Sequence, residues 1–123
     1  MRTCKLIKKD TFRDLQFEYV FEEDHSLVGM IEIRIKMNEY IERYMGHIGY
    51  FIVVHERNKG YATRLLSEGL QQCRNLGMQE VILVCERSNV PSKRVIEKNG
   101  GIYLETVYEK CKAVYLERYK IVL

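Results

Sequence analysis

Hydrophobic and polar residues alternate in two stretches near the start of the chain. Residues 16–22 read QFEYVFE, and Leu27 to Met37 reads LVGMIEIRIKM. In the second stretch Ile31, Ile33 and Ile35 share one face, and Glu32, Arg34 and Lys36 share the other. Period-two alternation of this kind marks half-buried strands, and the turn signal Asp24-His25-Ser26 between them predicts an antiparallel hairpin. Thr3 to Lys8 has room for one earlier strand. Asn38 to Met45 is a polar, tyrosine-rich connection. Gly46 to Val54, GHIGYFIVV, is almost continuously apolar and β-branched, as a central strand is.

From Ala62 the spacing changes. Ala62, Leu65, Leu66, Gly69, Leu70, Cys73 and Leu76 recur at steps of three and four, which predicts one apolar face of a helix. Gly77 stands where a helix is commonly terminated. Glu80 to Cys85, EVILVC, predicts a second buried strand. Pro91 suits the first turn of a short helix running to about Asn99, which Gly100-Gly101 ends. Ile102–Tyr108 and Ala113–Val122 predict two last strands. The order is that of an α/β (α+β) sheet covered by a few helices.

Length and composition narrow the class. With 123 residues, no internal repeat and Pro91 as the only proline, residues 1–123 are expected to form a single domain. Apolar residues make up 46% and charged residues 30%, an ordinary globular mix. The net charge of +3 is low for a nucleic-acid binder, and Lys5, Lys8 and Lys9 are followed by Asp10, Asp14 and Glu18. Cys4, Cys73, Cys85 and Cys111 form no C-x-x-C pair and lie at no metal-like spacing with a histidine. They read as reduced thiols of a cytoplasmic protein, with no metal site. No signal peptide or membrane-length apolar run is expected.

The segment with most chemical content is Arg57-Asn58-Lys59-Gly60-Tyr61-Ala62-Thr63, which joins a buried strand to an amphipathic helix. A glycine there lets backbone approach a ligand closely. The helix start offers unpaired N–H groups and the positive end of the dipole. Together they make a cradle for a diphosphate, to which Arg57 and Lys59 would add charge and Thr63 a hydroxyl. A basic loop in which Gly60 serves only the turn is the plain alternative.

R-x-x-G-x-A after a buried strand resembles the acetyl-CoA signature of the GNAT N-acyltransferase superfamily. A second segment agrees: Asn89-Val90-Pro91-Ser92, then Val95 to Gly101, resembles the family's N-x-x-S/A helix ending in K-x-G. Asn38-Glu39-Tyr40 followed by Gly46-His47-Ile48-Gly49-Tyr50 is similar to one bacterial subgroup of acetyltransferases. The resemblance covers roughly residues 16–108 and implies a mixed, mostly antiparallel sheet with a splayed central strand pair. It also implies acetyl-CoA as cofactor. The backbone of Phe51, Ile52 and Val53 would hold the pantetheine arm, Asn58 to Thr63 the diphosphate, and Asn89 and Ser92 the cofactor further along. Asn89 equally suits a helix cap.

The implied activity is acetyl transfer to a primary amine by direct attack, since no cysteine has a nucleophile-like context. Many relatives protonate the leaving thiol with a tyrosine on the second helix, and Ile96 stands at that position here. Candidates for the catalytic groups are Tyr50, His47 and Glu39, with Glu32 behind them. His47 reads more readily as a core histidine bonded to backbone. Related enzymes carry helices before the hairpin that wall the acceptor site, whereas about fifteen residues precede Gln16 here. An open acceptor side, or one completed by a homodimer, is therefore expected. The rival reading is a non-catalytic CoA-binding or protein-interaction module on the same fold.

Overall fold

The computed structural model describes residues 1–123. Strands β1 (Cys4–Lys9), β2 (Leu15–Phe21) and β3 (Leu27–Ile33) run antiparallel in sequence order, followed by a short helix α1 (Glu39–Tyr44) and strand β4 (Ile48–Ile52). Helix α2 (Tyr61–Asn75) leads to β5 (Glu80–Glu86), helix α3 (Val90–Lys98) to β6 (Ile102–Glu109), and β7 (Val114–Val122) comes last. The strands form two sheets, ordered β1-β2-β3-β4 and β5-β7-β6, in which every ladder is antiparallel.

Alternation fixes which face is buried. Phe17, Tyr19 and Phe21 of β2 and Ile31 and Ile33 of β3 share one face, and the register sets Phe17 beside Ile31. Leu65, Leu66, Leu70 and Cys73 of α2 cover it, all from the apolar stripe of that helix. Gly69 permits the close approach: a Cβ there would overlap the Ile31 side chain. Val81 and Leu83 of β5 and Tyr119 and Ile121 of β7 extend the same core.

The predicted hairpin forms, but β3 is shorter than the alternating stretch. It ends at Ile33, and Ile35 is exposed. Asn38 explains why: its side chain accepts the Ile41 N–H at 2.8 Å and starts α1 where a plain connection was expected. Helix α1 has no buried residue of its own and is tied down electrostatically. Arg118 of β7, only 6% exposed, bonds Glu42 at 2.6 Å and also reaches Glu105 of β6.

Between β4 and β5 the two sheets meet at one point. Gly46 forms an isolated bridge with Leu83, and the His47 N–H donates to the Ile82 carbonyl at 2.7 Å. Gly46 has φ 73°, and a Cβ there would collide with the Ile82 carbonyl, so this crossing demands glycine. Beyond it β4 and β5 belong to separate sheets. That is the splayed pair, and β4 forms one side of the groove described next.

Candidate active site

A groove of about 650 Å³ runs between β4, the loop before α2, and α3. The loop is built for it. After a single 3-10 turn at Val54–Glu56, Arg57 folds back so that its Nε donates to the Ile52 carbonyl at 2.8 Å. Asn58 then takes φ 62° and Gly60 φ 90°. Left-handed residues in a turn can bring successive N–H groups to one side, a geometry that favours anions. Gly60 leaves α2 without a side-chain cap. No backbone N–H from Asn58 to Thr63 donates to another protein atom. A run of free donors beside the positive end of a helix suits an anion.

The opposite wall is α3. Asn89 caps it by accepting the Ser92 N–H at 3.2 Å, and Pro91 occupies the first turn. Two bonds hold the helix across the groove. At its start the Tyr50 hydroxyl of β4 lies 3.0 Å from Ser92 Oγ. At its end Asn99 Nδ2 donates to the Thr63 carbonyl of α2 at 3.2 Å. Burial pushes the Tyr50 hydroxyl above its ordinary pKa, with the Ser92 bond acting the other way. Tyr50 is therefore a protonated donor at neutral pH.

Most of the residues expected to hold a cofactor converge here. Phe51, Ile52, Arg57, Asn58, Gly60, Tyr61, Ala62, Thr63, Asn89 and Ser92 all line the groove, together with Tyr50. Two do not. Lys59 is not among the lining residues and forms an ion pair with Glu56 at 2.8 Å. The Val53 N–H is spent on the Val28 carbonyl at 2.9 Å. Strand alternation then directs the backbone groups of Tyr50 and Ile52, rather than those of Phe51 and Val53, into the gap beside β4. Ile52 and Tyr50 are thus the strand residues that an extended ligand arm would meet.

His47 is corrected from candidate base to structural bond. Its Nδ1 accepts the Ile82 N–H at 2.9 Å, so the ring proton of the neutral form sits on Nε2 and neither nitrogen is free to take another. Burial also lowers its pKa, which favours the neutral form. Glu39 begins α1, is exposed and lies outside the groove. Glu32 faces away from α2 and lies 3.9 Å from Arg34; burial, and then its bond with Asp14, raise its pKa. Ile96 is 1% exposed and packs into the core, so it offers the groove nothing.

Sequence reasoning missed Arg94, Val95 and Lys98, which also line the groove. With Pro91 they recur at helical spacing and form one face of α3. That periodicity was the available signal. Cys85 lies behind this wall, where burial pushes its thiol up to about 11. It is a packed thiol, not a nucleophile.

A split antiparallel sheet, with free N–H groups at the start of its central helix, is an N-acyltransferase type of fold. The chain matches the profile of the Acetyltransferase (GNAT) family over residues 3–101, and it belongs to that family. It is 26% identical over 97 residues to the uncharacterized N-acetyltransferase YnaD of Bacillus subtilis, a match spanning 78% of this chain and 54% of that protein. The chain thus covers about half the length of this curated relative. Among solved structures it is similar to the ribosomal-protein-S5-alanine acetyltransferase of Vibrio fischeri, with TM-score 0.75, 13% identity, and 89% and 61% of the two chains covered. It is also similar to yncA of Salmonella typhimurium, solved with its cofactor acetyl-CoA, with TM-score 0.73, 15% identity, and 89% and 65% covered. At these identities the likeness is one of fold. No helix is long and apolar enough to cross a membrane.

Proposed function

We propose that this chain is an acetyl-CoA-dependent N-acetyltransferase acting on a primary amine by direct attack. The observation that carries the reading is the uninterrupted run of free N–H donors from Asn58 to Thr63, set at the mouth of a groove that one strand edge flanks. These donors fit a diphosphate, and the Ile52 and Tyr50 edge fits an amide-bearing arm by strand-like bonding. Acetyl-CoA supplies an activated thioester, so a neutral amine forms the C–N bond as the C–S bond breaks.

The chain's own part is to position and to move protons. Tyr50 is the hydroxyl donor at the reactive end of the groove, and Ser92 orients it. Tyr50 gives its proton to the departing sulfur and regains one from solvent; the amine's proton leaves to water. A tyrosine on β4 thereby replaces the family's tyrosine on the second helix, where Ile96 lies in the core. The high pKa of Cys85 argues against an acyl-cysteine route.

The test is thiol release from acetyl-CoA with a panel of primary amines, run alongside CoA binding by calorimetry. Binding with amine-dependent release supports the proposal. Binding without release by any amine favours the non-catalytic module, for which the family membership and the cradle are already sufficient. Absence of binding removes both.

A further inference from the structure

The two sheets have two outer edges, and the chain treats them differently. β1 closes one and carries Lys5, Lys8 and Lys9. Lysine on an edge strand deters pairing with another chain. β6 closes the other and reads IYLETVYE, with no lysine, arginine or proline. Its two carboxylates do not guard it. Glu105 is held by Arg118, and Glu109 accepts the N–H groups of Cys111 and Lys112 at 3.0 and 2.7 Å. Outside the ladder with β7, no backbone bond involves residues 102–109, so the outward N–H and C=O groups of β6 are unpaired.

This open edge is also apolar. Ile102, Tyr103, Leu104 and Tyr108 of β6, with Tyr115 opposite Tyr108 on β7, are each 41–55% exposed. Single exposed apolar side chains are ordinary, but five joined along one strand make a patch. At about 150–250 Å² for a whole aromatic side chain, their exposed halves present roughly 450 Å² per copy, or about 900 Å² across a pair. Thr106 and the strand backbone raise that to the ~1,000 Å² a specific contact needs.

β6 fits a copy of itself. Because side chains alternate between faces, two identical strands pair antiparallel only when centred on one residue and its copy. Centred on Thr106, threonine meets threonine, Glu105 meets Val107, and Tyr108 meets Leu104, the residue bulged out of the β7 ladder. Hydroxyl and apolar pairs of this kind stabilise a sheet. Centring on Glu105 sets that carboxylate opposite its own copy, and centring on Val107 sets Glu105 opposite Glu109. Like charges directly opposite destabilise.

We propose that β6 is a dimerisation edge, on which a second copy of this chain pairs antiparallel about Thr106 and joins the two β5-β7-β6 sheets into one. The inference stands apart from the transferase reading. The contact is at the small end of specific interfaces, so the dimer dissociates on dilution.

The experiment is sedimentation equilibrium of the whole chain over a range of concentrations. The wild type is expected to move from 14.7 kDa toward twice that mass as concentration rises. Thr106→Lys sets two ammonium groups at the dyad and should weaken the dimer about tenfold or more. Its melting temperature in dilute solution checks the fold, and Tyr108→Lys stands in if it does not fold. Phe12→Lys, which removes an exposed aromatic from the loop between β1 and β2, should leave the dimer unchanged. In a Cys111→Ser chain, whose other cysteines are buried, Thr106→Cys should form a covalent dimer under oxidised glutathione, since residues opposite one another on antiparallel strands lie within disulfide reach. A wild type that stays monomeric at the highest concentration overturns the proposal. So does a dimer that survives both lysine variants of β6, one that Phe12→Lys abolishes, or one that Thr106→Cys does not link.

Discussion

Gly60 offers a way to separate backbone strain from charge at the cradle. It sits at φ 90°, and a Cβ there would meet only the flexible Met1 side chain, at 3.4 Å from Sδ and 3.6 Å from Cε. Any L-residue therefore fits in space but pays for the left-handed conformation, about 1–2 kcal/mol. Gly60→Ala and Gly60→Asp share that penalty to first order. For a chain this size it should lower the melting temperature by roughly 3–10 °C. The two variants differ in one carboxylate beside the free N–H groups of Tyr61 to Thr63. At a separation of ~5 Å and an effective dielectric of about 20, each ligand charge is repelled by roughly 3 kcal/mol before salt screening. Even a third of that, acting on a diphosphate, weakens binding by roughly thirtyfold or more. The Asp side chain would also accept the N–H groups for itself, as helix caps do. Calorimetry with CoA should thus show Gly60→Ala binding within a few-fold of wild type and Gly60→Asp at least thirtyfold weaker, with the gap narrowing in salt. Equal affinity of the two variants would refute the cradle, whichever way both moved.

Three further outcomes follow from the geometry. Tyr50→Phe should leave CoA affinity within about twofold and slow amine-dependent thiol release by about 10²-fold. Because burial raises the Tyr50 pKa, the donor form persists through neutral pH and is lost only as pH rises beyond the ordinary tyrosine range; a wild-type rate falling between pH 7 and 9 for loss of this proton would contradict the role. Gly69→Ala adds a Cβ that overlaps Ile31; overpacking should outweigh the helix-propensity gain and destabilise by about 1 kcal/mol in urea melts, and Ile31→Val in the same chain should recover most of it. Glu42→Ala removes one of the two carboxylates holding Arg118; hydrogen exchange should quicken in α1, residues 39–44, while β5 and β7 keep their protection.

The elements that the sequence made legible are those whose signal is local. The α2 stripe from Ala62 to Cys73 needs only its own spacing, and the β2–β3 hairpin only its own alternation and turn. The turn before α2 was legible because a glycine at a strand-to-helix junction is visible in one dimension. What depended on distant partners was not. His47 looked like a base until the Ile82 N–H, far along the chain, was found on its Nδ1. Lys59 is the local exception: it looked like a phosphate ligand, yet Glu56, only three residues back, pairs with it. The helix α1 was hidden because its burial is negligible and its anchor is Arg118, at the other end of the sequence.

The double pinning of α3 has a bearing on what sort of acyl carrier can be handled. Fastened to Tyr50 at one end and to Thr63 at the other, the helix acts as a ruler of roughly 9 Å from Ser92 to Lys98. A carrier whose sulfur and phosphates are spaced differently would register one end and miss the other, whatever its local chemistry. Lengthening or shortening α3 by a residue would reset that gauge without touching any group that handles the thioester.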